Sequence, residues 1–222
     1  MENGDISRNG DHEEIISLRN ALSICRGMLS VPKEVKFDDV DENIIFSTKA
    51  SLFRAWHEKM EMEYPDKIIS RPVILFYDEE NNLINSINLG LIDKKIEKNE
   101  RSIGKLSICI NELCHSVTFI ADGTVMKIFD SNGDENFLKS LNYVVKDMAD
   151  MGYEIELISC PKINFTSDAG EGYCLAYSLY FIEYMMINSD ITPEELVKYL
   201  IIIPDLKKKI VKYGKFLQKL AE

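Results

Sequence analysis

A chain of 222 residues with 45% apolar and 28% charged content can bury a full core and has the composition of a soluble protein. Its 26 Lys and Arg against 37 Asp and Glu leave a net charge of −11, which repels phosphate backbones and anionic lipid and argues against nucleic acid or membrane as partner. Neutral or basic polypeptide suits that charge better, and no apolar run reaches the roughly 20 residues a bilayer requires.

Residues 1–12 are polar and rich in Gly, Asn and Asp, and are expected to be disordered. Asp11 and Glu14 suggest a capping box for a helix over 13–29, where Ile15, Ile16, Leu18, Leu22, Cys25 and Leu29 keep helical spacing until Pro32. A second helix over 49–63 is stopped by Pro65. Apolar segments at 72–77 and 83–89 flank a turn at 78–82 and predict a hairpin; a charged loop over 93–101 then leads to a strand over 104–110.

His115 opens the run Ser116-Val117-Thr118-Phe119-Ile120, which turns at Asp122-Gly123 into Val125-Met126-Lys127-Ile128-Phe129 and ends in Asp130-Ser131-Asn132-Gly133, a second hairpin. A helix over 136–151 follows, with Leu138, Leu141, Val144, Val145 and Met148 on one face, and then a strand over 153–158. A polar loop after Cys160-Pro161 delivers the chain to a helix that begins at Cys174 and is apolar nearly all round, hence buried. Thr192-Pro193-Glu194-Glu195 starts another helix, Pro204 divides the last two, and Lys207, Lys208, Lys209, Lys212, Lys215 and Lys219 read as a solvated helix face. The pattern predicts an α+β fold on a mostly antiparallel sheet, with N-terminal helices and a hairpin over 13–100 packed on a core over 101–222.

The chemistry concentrates in three residues. Cys174 follows Gly170-Glu171-Gly172-Tyr173 at the first turn of its helix, where unpaired N–H groups and the positive dipole end favour a thiolate. Pairing of the second hairpin about its turn would bring His115 and Asp130 to one edge of the sheet, where a carboxylate orients an imidazole. Thiolate, base and orienter are the parts of a thiol hydrolase. The other histidines are weaker candidates: His12 lies in the polar terminus, and His57 adjoins Trp56 on a charged helix. Trp56 and Tyr64 are expected to pack half-buried, with a substrate contact as the alternative.

Five cysteines, at 25, 109, 114, 160 and 174, are an odd set without framework spacing, which points to a reducing intracellular setting and to structural thiols at positions other than 174. A zinc set of Cys109, Cys114, His115 and Cys160 lacks any Cys-x-x-Cys, so neither metal nor cofactor is expected.

The order His115, Asp130, Cys174, with Gly172-Tyr173-Cys174-Leu175-Ala176-Tyr177-Ser178-Leu179-Tyr180-Phe181, resembles the clan of ubiquitin-like-protein proteases and adenovirus-type cysteine proteases, most of all the versions encoded by large DNA viruses. The resemblance spans roughly 104–200. It implies a papain-like cysteine protease of the adenain and SUMO-protease type, with a mostly antiparallel central sheet and a buried helix bearing the nucleophile. It implies His115 as general base, Asp130 as its orienter and Cys174 as nucleophile, with an oxyanion hole made of the Cys174 N–H and an upstream side-chain amide.

Two positions depart from the clan's pattern. Ser116 stands where it has Trp, and no Gln precedes the cysteine, because the chain's only Gln is Gln218. Asn164 is the nearest amide; Ser167 or the N–H groups of residues 170–172 are alternatives. The implied activity is hydrolysis of a polypeptide, either a viral precursor or a ubiquitin-like conjugate, in host cytoplasm or virion. Rival readings are an acyltransferase of the same clan and a non-catalytic binding or scaffold protein on the protease fold, which the missing Gln favours.

Overall fold

Strands β1 (Val73–Tyr77), β2 (Leu83–Ile87), β3 (Ser102–Ile110), β4 (Leu113–Asp122), β5 (Val125–Phe129) and β6 (Glu154–Leu157) form one sheet in the order β2-β1-β3-β4-β5-β6. Helices α1 (Ala50–Glu63), α2 (Asp134–Asp150), α3 (Cys174–Ile187), α4 (Pro193–Ile202) and α5 (Leu206–Leu220) cover it. The computed structural model describes residues 50–66, 69–89, 101–110, 113–164, 173–188 and 190–220. The expected disordered terminus at 1–12, the helix over 13–29 and most of the charged loop over 93–101 lie outside them.

The two short-range hairpins pair antiparallel, β1 with β2 and β4 with β5, as does β3 with β4. The remaining neighbours, β1 with β3 and β5 with β6, are parallel. A parallel pair needs a crossover, and α2 supplies it between β5 and β6. The sheet is therefore mostly antiparallel and the class α+β, with β1 and β2 extending the same sheet that carries β4 and β5.

Asp122 pairs with Val125, so the two-residue loop of the β4–β5 hairpin is Gly123-Thr124, one position later than the sequence suggests. Gly123 takes the left-handed conformation that such a tight turn demands, with φ 58°. A second glycine is dictated by packing: a Cβ on Gly104 would lie 2.8 Å from the Phe119 ring and 2.9 Å from Ser70.

Alternation divides the sheet into two buried faces. Val73, Leu75, Leu106, Ile108, Val117, Phe119, Met126 and Ile128 meet Phe137, Val144 and Met148 of α2. Ile103, Ile120, Phe129 and Ile158 lie in the other core with α1, α3, α4 and α5. On α2 the expected apolar stripe is corrected at one end. Leu138 is 51% exposed and Phe137 is buried in its place, because the helix is interrupted at Leu141, whose φ of −132° rotates the first turns relative to the rest.

Helix α3 is the centre of the second core. Every residue from Leu175 to Met186 is buried, and Phe181 stacks on Phe129 with ring centroids 4.1 Å apart. Trp56 is completely buried rather than half-exposed, its Nε1 donating to the Tyr213 hydroxyl at 2.9 Å, which removes it as a substrate contact. Tyr213 donates in turn to Glu183 at 2.6 Å, and Glu183 also meets Lys59 at 3.2 Å, a buried polar network joining α1, α3 and α5. Thr192 and Glu195 form a reciprocal capping box with Pro193 in the first turn of α4. No helix among the described residues is long and apolar enough to cross a membrane.

Candidate active site

The pairing of β4 with β5 ends at Thr118 and Phe129. Beyond that point both chains continue at the same edge of the sheet, which places His115 on one and Asp130 on the other within contact. His115 Nε2 lies 2.9 Å from each carboxylate oxygen of Asp130. Asp130 is almost fully buried, and its Oδ1 also accepts the Asn132 backbone N–H at 2.8 Å, so the carboxylate is held from two sides.

The corner Asp130-Ser131-Asn132-Gly133 is built tightly. Gly133 N–H donates to the Asp130 carbonyl at 3.0 Å with φ 94°, and a Cβ there would lie 3.0 Å from the Cys160 carbonyl oxygen. Ser131 O accepts the backbone N–H groups of Ile163 and Asn164 at 2.9 and 2.8 Å. The Tyr177 hydroxyl donates to Ile163 O at 2.8 Å, so the same segment ties the carboxylate corner to the second turn of α3.

Cys174 completes the cluster from the first turn of α3. Its sulfur is hydrogen-bonded to the His115 side chain and to the backbone N–H of Ser116. Since Nε2 of His115 faces Asp130, Nδ1 is the nitrogen left for the sulfur. Ser116 lies past the end of the β4–β5 ladder, so its backbone serves α3 instead of β5: the N–H meets Cys174, and the C=O accepts from Ser178 Oγ at 3.0 Å. Thr118 Oγ1 donates to Ser178 O at 3.0 Å, a further clamp between strand and helix.

Electrostatics favours a charged pair. Burial opposes the thiolate, but the hydrogen bond and positive charge of His115, with the Ser116 N–H, hold the Cys174 pKa below its ordinary value. Burial likewise opposes the imidazolium, and the hydrogen bonds and charges of Asp130 and Cys174 override it, raising His115 above its ordinary range. The first N–H groups of α3 receive no side-chain cap from Tyr173 and the first turn holds no acidic residue, which adds to the pull on a thiolate. Cys160 is the opposite case: buried, with its thiol donating to Pro161 O at 3.2 Å, it is pushed up to about 12 by burial and by the charges of Asp130 and Asp134. Cys174 is only half-buried and reaches solvent.

The fold thus gathers His115, Asp130 and Cys174. Asn164, the expected amide of the oxyanion hole, is buried at the Asp130 corner, where its Nδ2 donates to Asn132 Oδ1 at 3.0 Å and its Oδ1 has no partner among the described residues. Its amide is engaged by the carboxylate corner. Ser167 and residues 170–172 lie outside the described residues.

Three features were not read from the sequence. Cys109 and Cys114, expected as separate structural thiols, are joined by a disulfide, because β3 and β4 place them directly opposite each other one register pair beyond Ile108 and His115. Ser178 was legible only as part of a motif, not as the clamp between α3 and β4. Lys105 is the third, and its signal in the sequence is a lone charge inside the strand segment 103–110.

No protein-family model matches the sequence, and no curated protein does.

Proposed function

We propose that this chain is a cysteine peptidase or isopeptidase of the papain-like type that acts through an acyl-thioester at Cys174. The observation that carries the reading is that the His115 side chain is hydrogen-bonded both to Asp130, through Nε2, and to the Cys174 side chain. In the resting state the proton sits on the imidazole and the charge on the sulfur. The thiolate attacks the carbonyl carbon of the scissile amide, and the π electrons move onto oxygen. His115 then gives its proton to the departing amine, Asp130 holding the ring for that transfer. Water deacylates the thioester with His115, now neutral, as general base. The Cys174 backbone N–H, without an acceptor inside the helix, is one donor to the oxyanion.

A polypeptide substrate fits the net charge of −11, and a viral precursor or a ubiquitin-like conjugate in an intracellular setting is what the resemblance favours. A non-catalytic binding protein on the same fold is the second reading, favoured by the engagement of the Asn164 amide with Asn132.

Mass mapping of the full chain after brief iodoacetamide treatment at neutral pH separates the two. A peptidase alkylates at Cys174 ahead of Cys25 and Cys160, and His115→Ala abolishes that preference. Equal labelling of these thiols overturns the catalytic reading.

A further inference from the structure

Lys105 lies in β3 between buried neighbours, Gly104 and Leu106, and is itself half-buried. The register sets it directly across from Thr118, whose side chain reaches the Ser178 carbonyl, so Lys105 projects from the α3 face of the sheet. It is diagonal to Ser116, whose N–H meets the Cys174 sulfur. A diagonal neighbour about 7–8 Å away is within reach of a long side chain. Its ammonium stands 5.2 Å from the centroid of the Phe53 ring on α1 and feels the charge of Cys174. Among the described residues no carboxylate pairs with it.

A half-buried ammonium that feels the charge of a thiolate, and that pairs with no carboxylate among the described residues, is suited to an anion that exists only during reaction. In the resting site the thiolate is already served by His115 and Ser116 N–H. On attack the negative charge leaves sulfur for the acyl oxygen, which those two groups were not placed to meet, and Asn164 is engaged by Asn132. We propose that Lys105 is a catalytic residue that donates to the acyl oxygen in the tetrahedral state, supplying the cationic half of the oxyanion hole. The proposal rests on the peptidase reading above.

In that step the C–S bond forms at Cys174, the carbonyl π pair moves to oxygen beside Lys105, and collapse returns the pair and breaks the bond to the leaving group. Alkylation by iodoacetamide displaces iodide at a saturated carbon and creates no oxyanion, so comparing the two reactions isolates the role. The pH dependence gives an independent readout. Burial lowers Lys105 to about 8, partly opposed by Cys174; the titratable group facing it is Cys174 on α3, while α1 presents the uncharged Phe53 ring.

The test uses the full chain with p-nitrophenyl acetate as acyl donor and iodoacetamide as alkylating probe. Lys105→Met should slow acylation of Cys174 on the order of 10²-fold while the alkylation rate of the fully ionised thiolate stays near wild type. Lys105→Arg keeps a cation and should retain most of the acylation rate. Wild-type acylation should decline as pH rises through about 8, and that of Lys105→Arg should not. Unchanged acylation in Lys105→Met, or acylation and alkylation falling by the same factor, overturns the proposal and leaves the peptidase reading standing. If wild type gives no p-nitrophenol burst at all, the peptidase reading falls and the proposal with it. Should Lys105→Met fail to fold, the pH profile of Lys105→Arg against wild type decides alone.

Discussion

Ser178 Oγ lies 3.0 Å from the Ser116 carbonyl oxygen and 2.8 Å from that of Cys174, so one hydroxyl pins the start of the nucleophile's helix to the strand that carries the base. A strand–helix clamp thereby holds Cys174 close to His115.

Ser178→Ala should therefore lower both stability and reactivity. It leaves a buried strand carbonyl without a partner, a loss of about 1–3 kcal/mol. Urea unfolding should show the reduced midpoint, and the lead of Cys174 in alkylation should shrink. A midpoint equal to wild type would refute the clamp.

Asp130→Asn keeps the shape of the corner and removes the charge that both orients His115 and supports its proton. Acylation by an activated ester should fall on the order of 10⁴-fold, as when the carboxylate of a catalytic triad is neutralised. The pH at which Cys174 ionises should rise, since a less basic His115 supports the thiolate less. Wild-type rates in this variant would deny Asp130 its part.

The free thiols should separate by pH. A lowered pKa keeps Cys174 ionised as pH falls, whereas Cys160, at about 12, stays protonated. Iodoacetamide should go on labelling Cys174 at a lower pH than it labels a thiol of the urea-unfolded chain, and should leave Cys160 unlabelled in the folded chain. For His115, whose pKa is raised above the ordinary 6.5, the stabilisation from its charged form is complete below that value and lost as pH climbs through the raised one. Thermal melts should accordingly lose midpoint on the alkaline side in wild type, and His115→Ala should remove that part of the loss. A Cys174 rate that rises tenfold per pH unit all the way to about pH 8.5, as a free cysteine's does, would indicate an ordinary thiol.

Tyr213→Phe tests the helical layer apart from the site. It deprives Trp56 Nε1 of its acceptor and Glu183 Oε2 of its 2.6 Å donor, while the ion pair of Lys59 with Glu183 Oε1 stays in place. Unfolding free energy should fall on the order of 3 kcal/mol, because two buried polar groups lose partners. Alkylation of Cys174 should be unaffected at temperatures where the variant is folded; a parallel loss would mean that the network also shapes the site.

Local signals were sufficient for much of this. Alternating apolar residues around Gly123 were enough to predict the β4–β5 hairpin, and a hairpin returns its two ends to one edge whatever else the chain does, so the approach of His115 to Asp130 was legible from residue order. The mostly apolar stretch after Cys174 announced a buried helix, and Thr192 with Glu195 announced a cap, since each depends on neighbours within a few turns.

What tertiary structure alone decided are relationships between residues remote along the chain. The use of Ser116's backbone by α3, the disulfide between facing Cys109 and Cys114, the placing of Lys105 across from Thr118 and the burial of Trp56 under Tyr213 all depend on which strand lies beside which and where the ladder stops. Hydrophobic periodicity is a local property of one or two turns, whereas register, and the backbone groups a ladder leaves unpaired at its end, emerge only when separate segments compete for the same neighbours.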